Sequence, residues 1–277
     1  MTDLPAIDLT QNQQPRSIGQ LVVSVAARSG ASGLSDLRQS GALKALFPTA
    51  RGPAVTAVCI NTGGGIAGGD RFTVEANAQA DASLVLTTQA AERIYRAAGS
   101  IAGRMDTRLS VGANGTLDWL PQETILFDGA RLRRRLSIEM DPSARFLMVE
   151  PVVFGRHARG EVLRAGAFSD RVLLRRGGSE IFRDGCDLSG DIAALMARRA
   201  IGGGAGAMAL VALAAPDVSA ELAALRAMLP ASAGVTMPRP GLLVCRVLAE
   251  DGFALRTVLI PVLERLSGAP LPPVWRF

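Results

Sequence analysis

The sequence predicts a mainly β protein of stacked short strands with solenoid-like, β-helix-like layering, and a small helical element near its C-terminus. Three observations support this fold class. Short apolar segments separated by turn residues follow one another from Leu21 onward. A unit of strand, turn, strand and bend recurs between residues 81 and 154. Helical spacing of apolar residues is found only after Ser189.

We expect a flexible N-terminal tail at residues 1–17 and a single domain over residues 18–277. The tail is polar, with a Gln/Asn/Pro run at residues 11–15. Within the domain, residues 18–188 form the layered β region and residues 189–277 a mixed α and β part. A chain of 277 residues is long enough to bury a sizeable core.

The first strands are predicted at residues 21–25 and 55–60, which are short apolar runs. The repeated unit follows. Each copy opens with a turn-type residue and a small residue, and the three copies open 33 and then 27 residues apart. Residues 109–111 and 136–138 match at the same offset of 27. Such a unit buries its apolar face by stacking on its neighbours, although a β-sandwich of many short strands gives similar spacing. The openings are at Asp81, Asn114 and Asp141.

The C-terminal part predicts helices at residues 191–200 and 219–229, with Ser219 as the N-cap of the second. A third helix is predicted over residues 253–266, where Pro261 either kinks the helix or marks its true start. The remaining elements are a buried strand with a glycine-rich lead-in within residues 200–216, a strand at residues 242–248 and an extended tail at residues 270–275.

Composition excludes several classes of protein. With 48% hydrophobic and 20% charged residues, the chain is too apolar for disorder and too charge-mixed for a membrane protein. The apolar stretch at residues 200–216 is shorter than the ~20 residues of a membrane span. Three cysteines do not make a disulfide scaffold, and an odd number suits a reducing compartment. Because the N-terminus has no basic and then apolar leader pattern, we expect a cytoplasmic protein.

The charge balance is basic, with a sequence pI near 10.0, yet the net charge of +5 is modest. Lys44 is the only lysine, so the remaining basic residues are arginines. We therefore expect neither nucleic acid nor a membrane as a partner.

Gly63, Gly65 and Gly68 satisfy the G-x-G-x-x-G pattern of dinucleotide-binding proteins. That site needs a helix opening at the last glycine, whereas residues 70–75 alternate as a strand does. A tight glycine-rich turn between two strands is favoured. An enzyme that uses the Gly63–Asp70 loop as a phosphate or nucleotide site is the alternative function.

Other catalytic motifs do not assemble. The sequence contains no P-loop and no G-x-S-x-G elbow, and a nucleophile would have to use His157, the only histidine. One histidine and cysteines without a C-x-x-C pair do not build a structural zinc site. Carboxylates near the predicted bends are either solvated and paired with arginine, or oxygen ligands along a polar path. They are Asp70, Glu92, Asp118, Glu123, Asp128 and Glu161.

Residues 131–135 form the strongest charge run. In a strand, Arg131, Arg133 and Arg135 share one face, with Leu132 and Leu136 on the other. This face is either simply solvated or a docking surface for an acidic partner.

Several blocks of the sequence resemble the urease accessory protein UreD family, also called UreH. The longest is Ile-Asn-Thr-Gly-Gly-Gly-Ile-Ala-Gly-Gly-Asp-Arg at residues 60–71, and the order and spacing of the blocks make the match specific. The chain departs from the family's usual pattern at Glu92 and Arg93, where relatives often have a neutral residue and a lysine. The other blocks are residues 86–91, 95–96, 119–127, 155–156 with 160–161, and 272–275.

The resemblance implies a non-catalytic maturation factor that helps to assemble the nickel centre of urease. It implies a mostly β fold of stacked strands, and three partners: UreF, the nickel-binding GTPase UreG, and apo-urease. It implies no tightly bound cofactor, only transient Ni²⁺ in an internal channel. Carboxylates suit such a channel, since they hold the ion more weakly than histidine and cysteine clusters do. The matching residues are Asp70, Glu161, Glu123 and Asp128.

Overall fold

The computed structural model describes residues 16–49, 52–156 and 159–276. Most of the predicted tail, residues 1–15, and the single histidine, His157, lie outside the described residues. The strands are β1 (Ile18–Arg28), β2 (Ala31–Gly41), β3 (Leu43–Leu46), β4 (Val55–Asn61), β5 (Arg71–Ala78), β6 (Ser83–Thr88), β7 (Glu92–Ile94), β8 (Gly103–Val111), β9 (Thr116–Leu120), β10 (Thr124–Leu126), β11 (Arg131–Met140), β12 (Arg145–Phe154), β13 (Gly166–Arg176), β14 (Ser179–Gly190), β15 (Ala207–Ala214), β16 (Ala233–Arg239) and β17 (Leu242–Ala249). The helices are α1 (Ile192–Ala197), α2 (Ser219–Met228), α3 (Gly252–Ser267) and a 3-10 helix at Pro273–Arg276.

The strands form two sheets. The first sheet has the order β14-β13-β11-β8-β5-β1-β2, and the second has the order β16-β17-β15-β12-β9-β6-β4-β3, with β10 and β7 continuing from β12. Each turn of the chain adds one strand to each sheet, so that β5, β8, β11 and β13 are parallel neighbours, as are β6, β9 and β12. Parallel pairing of successive units is the geometry of a solenoid. The mainly β, solenoid-like prediction is therefore confirmed.

The register tests the repeat directly. Ser83 pairs with Thr116, which confirms the offset of 33 residues. The offset of 27 is wrong, because Thr116 pairs with Arg145 and Leu109 pairs with Ile138, 29 residues further along. A difference of two residues keeps every side chain on the same face, so the predicted alternation of buried and exposed positions survives.

The error of two residues comes from the third turn. Asp81 and Asn114 lie within their turns in the left-handed region, at φ 60° and 54°. Asp141 instead precedes its turn, and its Oδ1 accepts hydrogen bonds from the N–H and the hydroxyl of Ser143. The same residue type therefore occupies a different place in the turn.

Two hydrophobic cores stabilise the fold. The first lies between the inner faces of the two sheets and includes Phe72, Phe146 and Phe168. The second lies between the outer face of the second sheet and α3, so β12 and β15 are buried on both faces. This double burial explains the continuous apolar runs of these two strands, and it confirms the buried strand predicted within residues 200–216.

The predicted helices exist, with shifted ends. α1 stops at Ala197 rather than at residue 200, because Arg198 is extended (ψ 127°) and a glycine-rich turn follows. α3 is capped by Asp251, which accepts a hydrogen bond from Ala254 N–H, so Pro261 lies inside the helix and does not start it. No helix in the described residues is both long and apolar enough to cross a membrane.

Two further predictions are wrong in detail. Ser219 is the first residue of α2 rather than its N-cap, and Asp217 accepts hydrogen bonds from the Ser219 N–H and hydroxyl. The tail is a 3-10 helix over Pro273–Arg276 rather than extended, because Trp275 is buried and its indole N–H donates to the Leu120 carbonyl at 3.0 Å.

Candidate functional site

A cavity of about 180 Å³ lies between the two sheets, and we call it the interior cavity. Strands β4, β5, β8 and β9 contribute to its wall, and residues 89–93 lie at one side. A second space of about 20 Å³, which is large enough for roughly one water molecule, adjoins it on the side of Arg134 and Glu150. The side chains that line both spaces are Thr88, Glu92, Met105 and Trp119.

Glu92 is the carboxylate of the larger space. The Asn61 side-chain amide donates to Glu92 Oε1 at 3.0 Å, and the same amide also donates to the Gly65 carbonyl at 2.9 Å. Burial raises the pKa of Glu92 to about 7, and the hydrogen bond from Asn61 and the charge of Arg93 offset only part of this effect. Glu92 therefore gains and loses a proton near neutral pH.

Arg134 lies beside the smaller space, on the side away from the interior cavity. Its Nη1 lies 2.5 Å from Glu150 Oε2, and its Nε and Nη2 bind the two oxygens of Asp170 at 3.0 and 2.6 Å. Nη1 also donates to Thr124 Oγ1 at 3.1 Å, while the Trp119 indole N–H donates to Glu150 Oε1 at 2.6 Å. Every polar atom of the Glu150 carboxylate is thus engaged in the core.

Burial dominates the titration of this network. It raises the pKa of Glu150 to about 7, against the opposing pull of the Arg134 charge, and the neighbouring negative charge of Asp170 adds to the rise. Burial alone would lower the pKa of Arg134, but Asp170 and Glu150 outweigh it and raise that pKa. The network therefore holds one fixed positive charge beside two carboxylates.

This arrangement offers oxygen ligands without building a closed metal site. Glu92 and Glu150 line the same small space with the hydroxyls of Thr88 and Thr124, and the sulfur atoms of Cys59 and Met105 lie nearby in the wall. Among the described residues, no group of three or more His, Cys, Asp or Glu side chains is placed to hold a metal ion.

The glycine-rich segment at residues 63–70, which we call the glycine block, supports the wall of the interior cavity. It is a turn between β4 and β5, as expected, and Gly65 has φ 156°. A Cβ atom on Gly65 would lie 2.3 Å from the Tyr95 ring and 2.6 Å from the Arg93 carbonyl oxygen. The Tyr95 hydroxyl donates to the Gly64 carbonyl at 2.8 Å. The block therefore packs directly against the segment that carries Glu92.

Most N–H groups of this block, those of Gly63, Gly64, Ile66, Ala67 and Asp70, are engaged within the protein. The N–H of Gly63 donates to Asn61 Oδ1, that of Gly64 to the Asn61 carbonyl, and that of Ile66 to the Arg93 carbonyl. Phosphate-binding loops instead point such N–H groups at the ligand. The geometry does not favour a phosphate or nucleotide site at Gly63–Asp70.

Asp70 lies at the end of the same block and is 6% exposed. Its Oδ1 accepts a hydrogen bond from Ser17 N–H at 2.8 Å, and its Oδ2 accepts one from Ala67 N–H at 2.7 Å. Its carboxylate therefore fastens the glycine block to the start of β1. Asp70 does not line the interior cavity.

Asp128 and Glu161 are brought together, since the Asp128 N–H donates to Glu161 Oε1 at 2.7 Å. Asp128 accepts hydrogen bonds from the Ala165 and Arg164 N–H groups and from Arg96, which together lower its pKa. Burial alone would raise the pKa of Glu161, but hydrogen bonds from Arg156 and from the Asp128 N–H outweigh it. Both carboxylates are therefore ionised and engaged.

Glu123 lies apart from the other three predicted carboxylates. Both of its oxygens are 3.1 Å from Nη1 of Arg256, which belongs to α3. The Arg256 guanidinium lies over the Trp275 ring, 5.2 Å from its centroid, and donates to the Trp275 carbonyl. Glu123 thus ties the second sheet to the C-terminal segment.

The predicted arginine face is confirmed as a surface of the first sheet. Arg133 and Arg135 are exposed and Arg131 is half-buried, while Leu132 and Leu136 point into the core.

The sequence reasoning missed Arg134, Glu150 and Asp170. A signal for Glu150 was present, since it is a lone carboxylate within the apolar run of β12. Arg134 shares the parity of Leu132 and Leu136 and is therefore an inward-facing position. Its pairing with Asp170 depends on the register of β11 against β13, which the sequence does not reveal.

The fold and the site define a class: a layered β scaffold with a small cavity and buried carboxylates between its two sheets. The model of the UreD urease accessory protein family matches residues 17–276, and the chain belongs to this family. It is similar to the urease accessory protein UreD of Roseobacter denitrificans, with 47% identity over 96% of this chain and 97% of the relative. The corresponding proteins of Ruegeria sp. (strain TM1040) and Azorhizobium caulinodans are 47% and 41% identical, over 98% and 95% of this chain and 94% and 97% of theirs.

Proposed function

We propose that this chain is a urease maturation factor that docks on apo-urease together with UreF and UreG and supports nickel delivery to the urease metal centre. Family membership over residues 17–276 is the observation that carries this proposal. The chain has no P-loop of its own, so nucleotide hydrolysis falls to the GTPase partner. Its three free cysteines suit the reducing cytoplasm, where we place it.

The interior cavity and the smaller space beside it, together the interior path, are the part of the chain that we propose for the passage of Ni²⁺. Glu92 lines both spaces, and its raised pKa lets it exchange a proton for a cation near neutral pH, while Glu150, whose two oxygens are held by Trp119 and Arg134, lies at the inner end. The ion would meet oxygen ligands one after another and would be released easily. The fixed positive charge of Arg134 would repel a cation at the Glu150 end of the path, and it therefore limits how far a cation can go in that direction.

The carboxylates that the family resemblance selects are proposed to keep the walls of this path in place. Asp70, Glu123, Asp128 and Glu161 each accept hydrogen bonds from backbone N–H groups or from arginine. Replacing one of them would loosen a loop and lower nickel transfer indirectly.

Co-purification tests the docking proposal. We expect the tagged chain, expressed with the urease operon, to retain UreF, UreG and apo-urease on an affinity column. The tagged partner UreF should recover the same set in the reverse experiment. Recovery of the chain alone, from cells in which all partners are abundant, would contradict the proposal.

Isosteric variants test the path. We expect E92Q to keep the complex intact and to lower urease activation several-fold, because the neutral amide cannot neutralise Ni²⁺. The matched control is Glu250→Gln on the surface, which should activate urease normally. The D70N and E161Q variants should lower activation only as far as they lower stability. If they abolish activation while folding normally, and E92Q activates urease fully, the passage follows those carboxylates instead.

A further inference from the structure

The outer face of the first sheet carries a row of arginines that spans three strands. Arg71 in β5 pairs in register with Arg104 in β8, and Arg104 pairs in register with Arg133 in β11. All three side chains are exposed. Neighbouring strands lie about 4.8 Å apart, so the guanidinium groups project side by side from the sheet. We call this row the arginine ladder.

No carboxylate is paired with the ladder. Within the described residues, none of Arg71, Arg104 and Arg133 takes part in an ion pair or a side-chain hydrogen bond. Asp106 lies two residues from Arg104 on the same face of β8 without forming an ion pair, and Asp187, which lines the neighbouring groove, is paired with Arg171. Some other arginines of the same sheet are paired, as Arg108 is with Glu75 and Arg183 is with Glu180. Like charges directly opposite each other destabilise a sheet. The ladder therefore costs stability that an anionic partner would recover.

A groove of about 400 Å³ runs beside the ladder, over the neighbouring strands β11, β13 and β14. Arg131, Arg133 and Arg135 line it, together with Ser100 and Ala102. These positions extend the positive surface in the direction of the strands.

Apolar side chains flank the charges. Ile101 is 70% exposed and lies between the two small residues that line the groove, and Ile18 is 60% exposed and pairs in register with Arg71. Exposed isoleucines beside guanidinium groups match a protein surface that combines carboxylates with apolar residues. A nucleic acid would instead gain from exposed aromatic rings for base stacking, and the named residues of this face supply none.

We infer that the arginine ladder docks an acidic helix of a protein partner. Residues three or four apart on a helix have Cβ atoms about 5–6 Å apart, close to the spacing of the ladder. Glutamates at such positions can meet Arg71, Arg104 and Arg133 in turn, while apolar residues beside them cover Ile18 and Ile101. An extended strand presents same-face residues about 7 Å apart and fits the ladder less well. This inference does not depend on the nickel path.

Binding of a synthetic probe tests the inference. The probe is a helical peptide of about 18 residues with glutamates on one face at every third or fourth position and leucines beside them. Calorimetric titration at low salt should show binding to the full chain, and R71Q/R104Q/R133Q should weaken it about tenfold or more. The matched control is R108Q/R183Q, which removes two paired arginines from the same sheet and should change the affinity less than about twofold.

Further measurements distinguish an acidic helix from other possible binding partners of the arginine ladder. A peptide of the same composition with its glutamates spread around the helix should bind several-fold more weakly. The triple variant should unfold at the same temperature as the natural chain or a higher one, because like-charge repulsion is removed. Equal weakening by the two variants, equal binding of the two peptides, or tighter binding of a short DNA duplex than of the facial peptide would overturn the inference.

Discussion

Glu150 and Arg134 show how a few buried charges organise the interior of this fold. Each is nearly inaccessible, and the carboxylate is held by Trp119 on one side and by Arg134 on the other. Removing one partner of such a network leaves an uncompensated buried charge, which is far more costly than losing a surface pair. The parity of residues along β11 predicted which arginines point outward. Which carboxylates meet Arg134 could not be predicted, since Asp170 lies 36 positions away.

Glu92 makes a prediction about pH. The pKa of Glu92 is about 7 in the folded protein, above the ordinary glutamate value of 4.5, so between pH 4.5 and pH 7 the folded state keeps a proton that the unfolded chain has lost. The free energy of unfolding should therefore fall as the pH rises from about 4.5 to 7. Glu92→Gln removes this penalty, and we expect it to stabilise the protein by about 1–3 kcal/mol at pH 8, with the gain vanishing toward pH 4.5.

Urea unfolding of the natural chain and of E92Q across this pH range is the measurement. Glu250→Gln on the surface serves as the control and should leave the curve nearly unchanged. A gain from E92Q that is the same at pH 5 and at pH 8 would contradict the assigned titration.

At the scale of elements, the sequence predicted the repeating strands well and the helix ends poorly. The alternation in β5, β8 and β11 reflects burial of one face of the first sheet, which short-range patterning records. Helix ends depend on single caps, and Asp217 and Asp251 act where the pattern pointed to Ser219 or Pro261. The interior cavity could not be predicted at all, because its wall combines residues from strands that meet only through their register.

The packing of the glycine block makes a prediction about stability. Gly65→Ala should destabilise the fold by about 2–4 kcal/mol, because the new Cβ meets the Tyr95 ring and the Arg93 carbonyl at a positive φ. Gly99→Ala is the control, since a Cβ there meets no atom within 4 Å and should change stability by less than about 0.5 kcal/mol. Denaturant unfolding checks both. An equal effect of the two substitutions would show that the block does not pack against residues 93–95 in this way.

At the scale of the whole molecule, stacking of successive units produces both the hydrophobic core and the polar path inside it. The second sheet is covered by α3 and the C-terminal segment, whereas none of the described helices packs on the outer face of the first sheet. The proposed role assigns the interior to the passage of a cation and this outer face to a protein partner.

The nickel content of urease from a strain that lacks this gene tests the central proposal most directly. Urease should be purified from the deletion strain, from the parent, and from the deletion strain complemented with the gene, and its bound nickel measured by mass spectrometry. We expect abundant but nickel-poor urease in the deletion strain and restored nickel on complementation. A normal nickel content in urease from the deletion strain would contradict the proposed role.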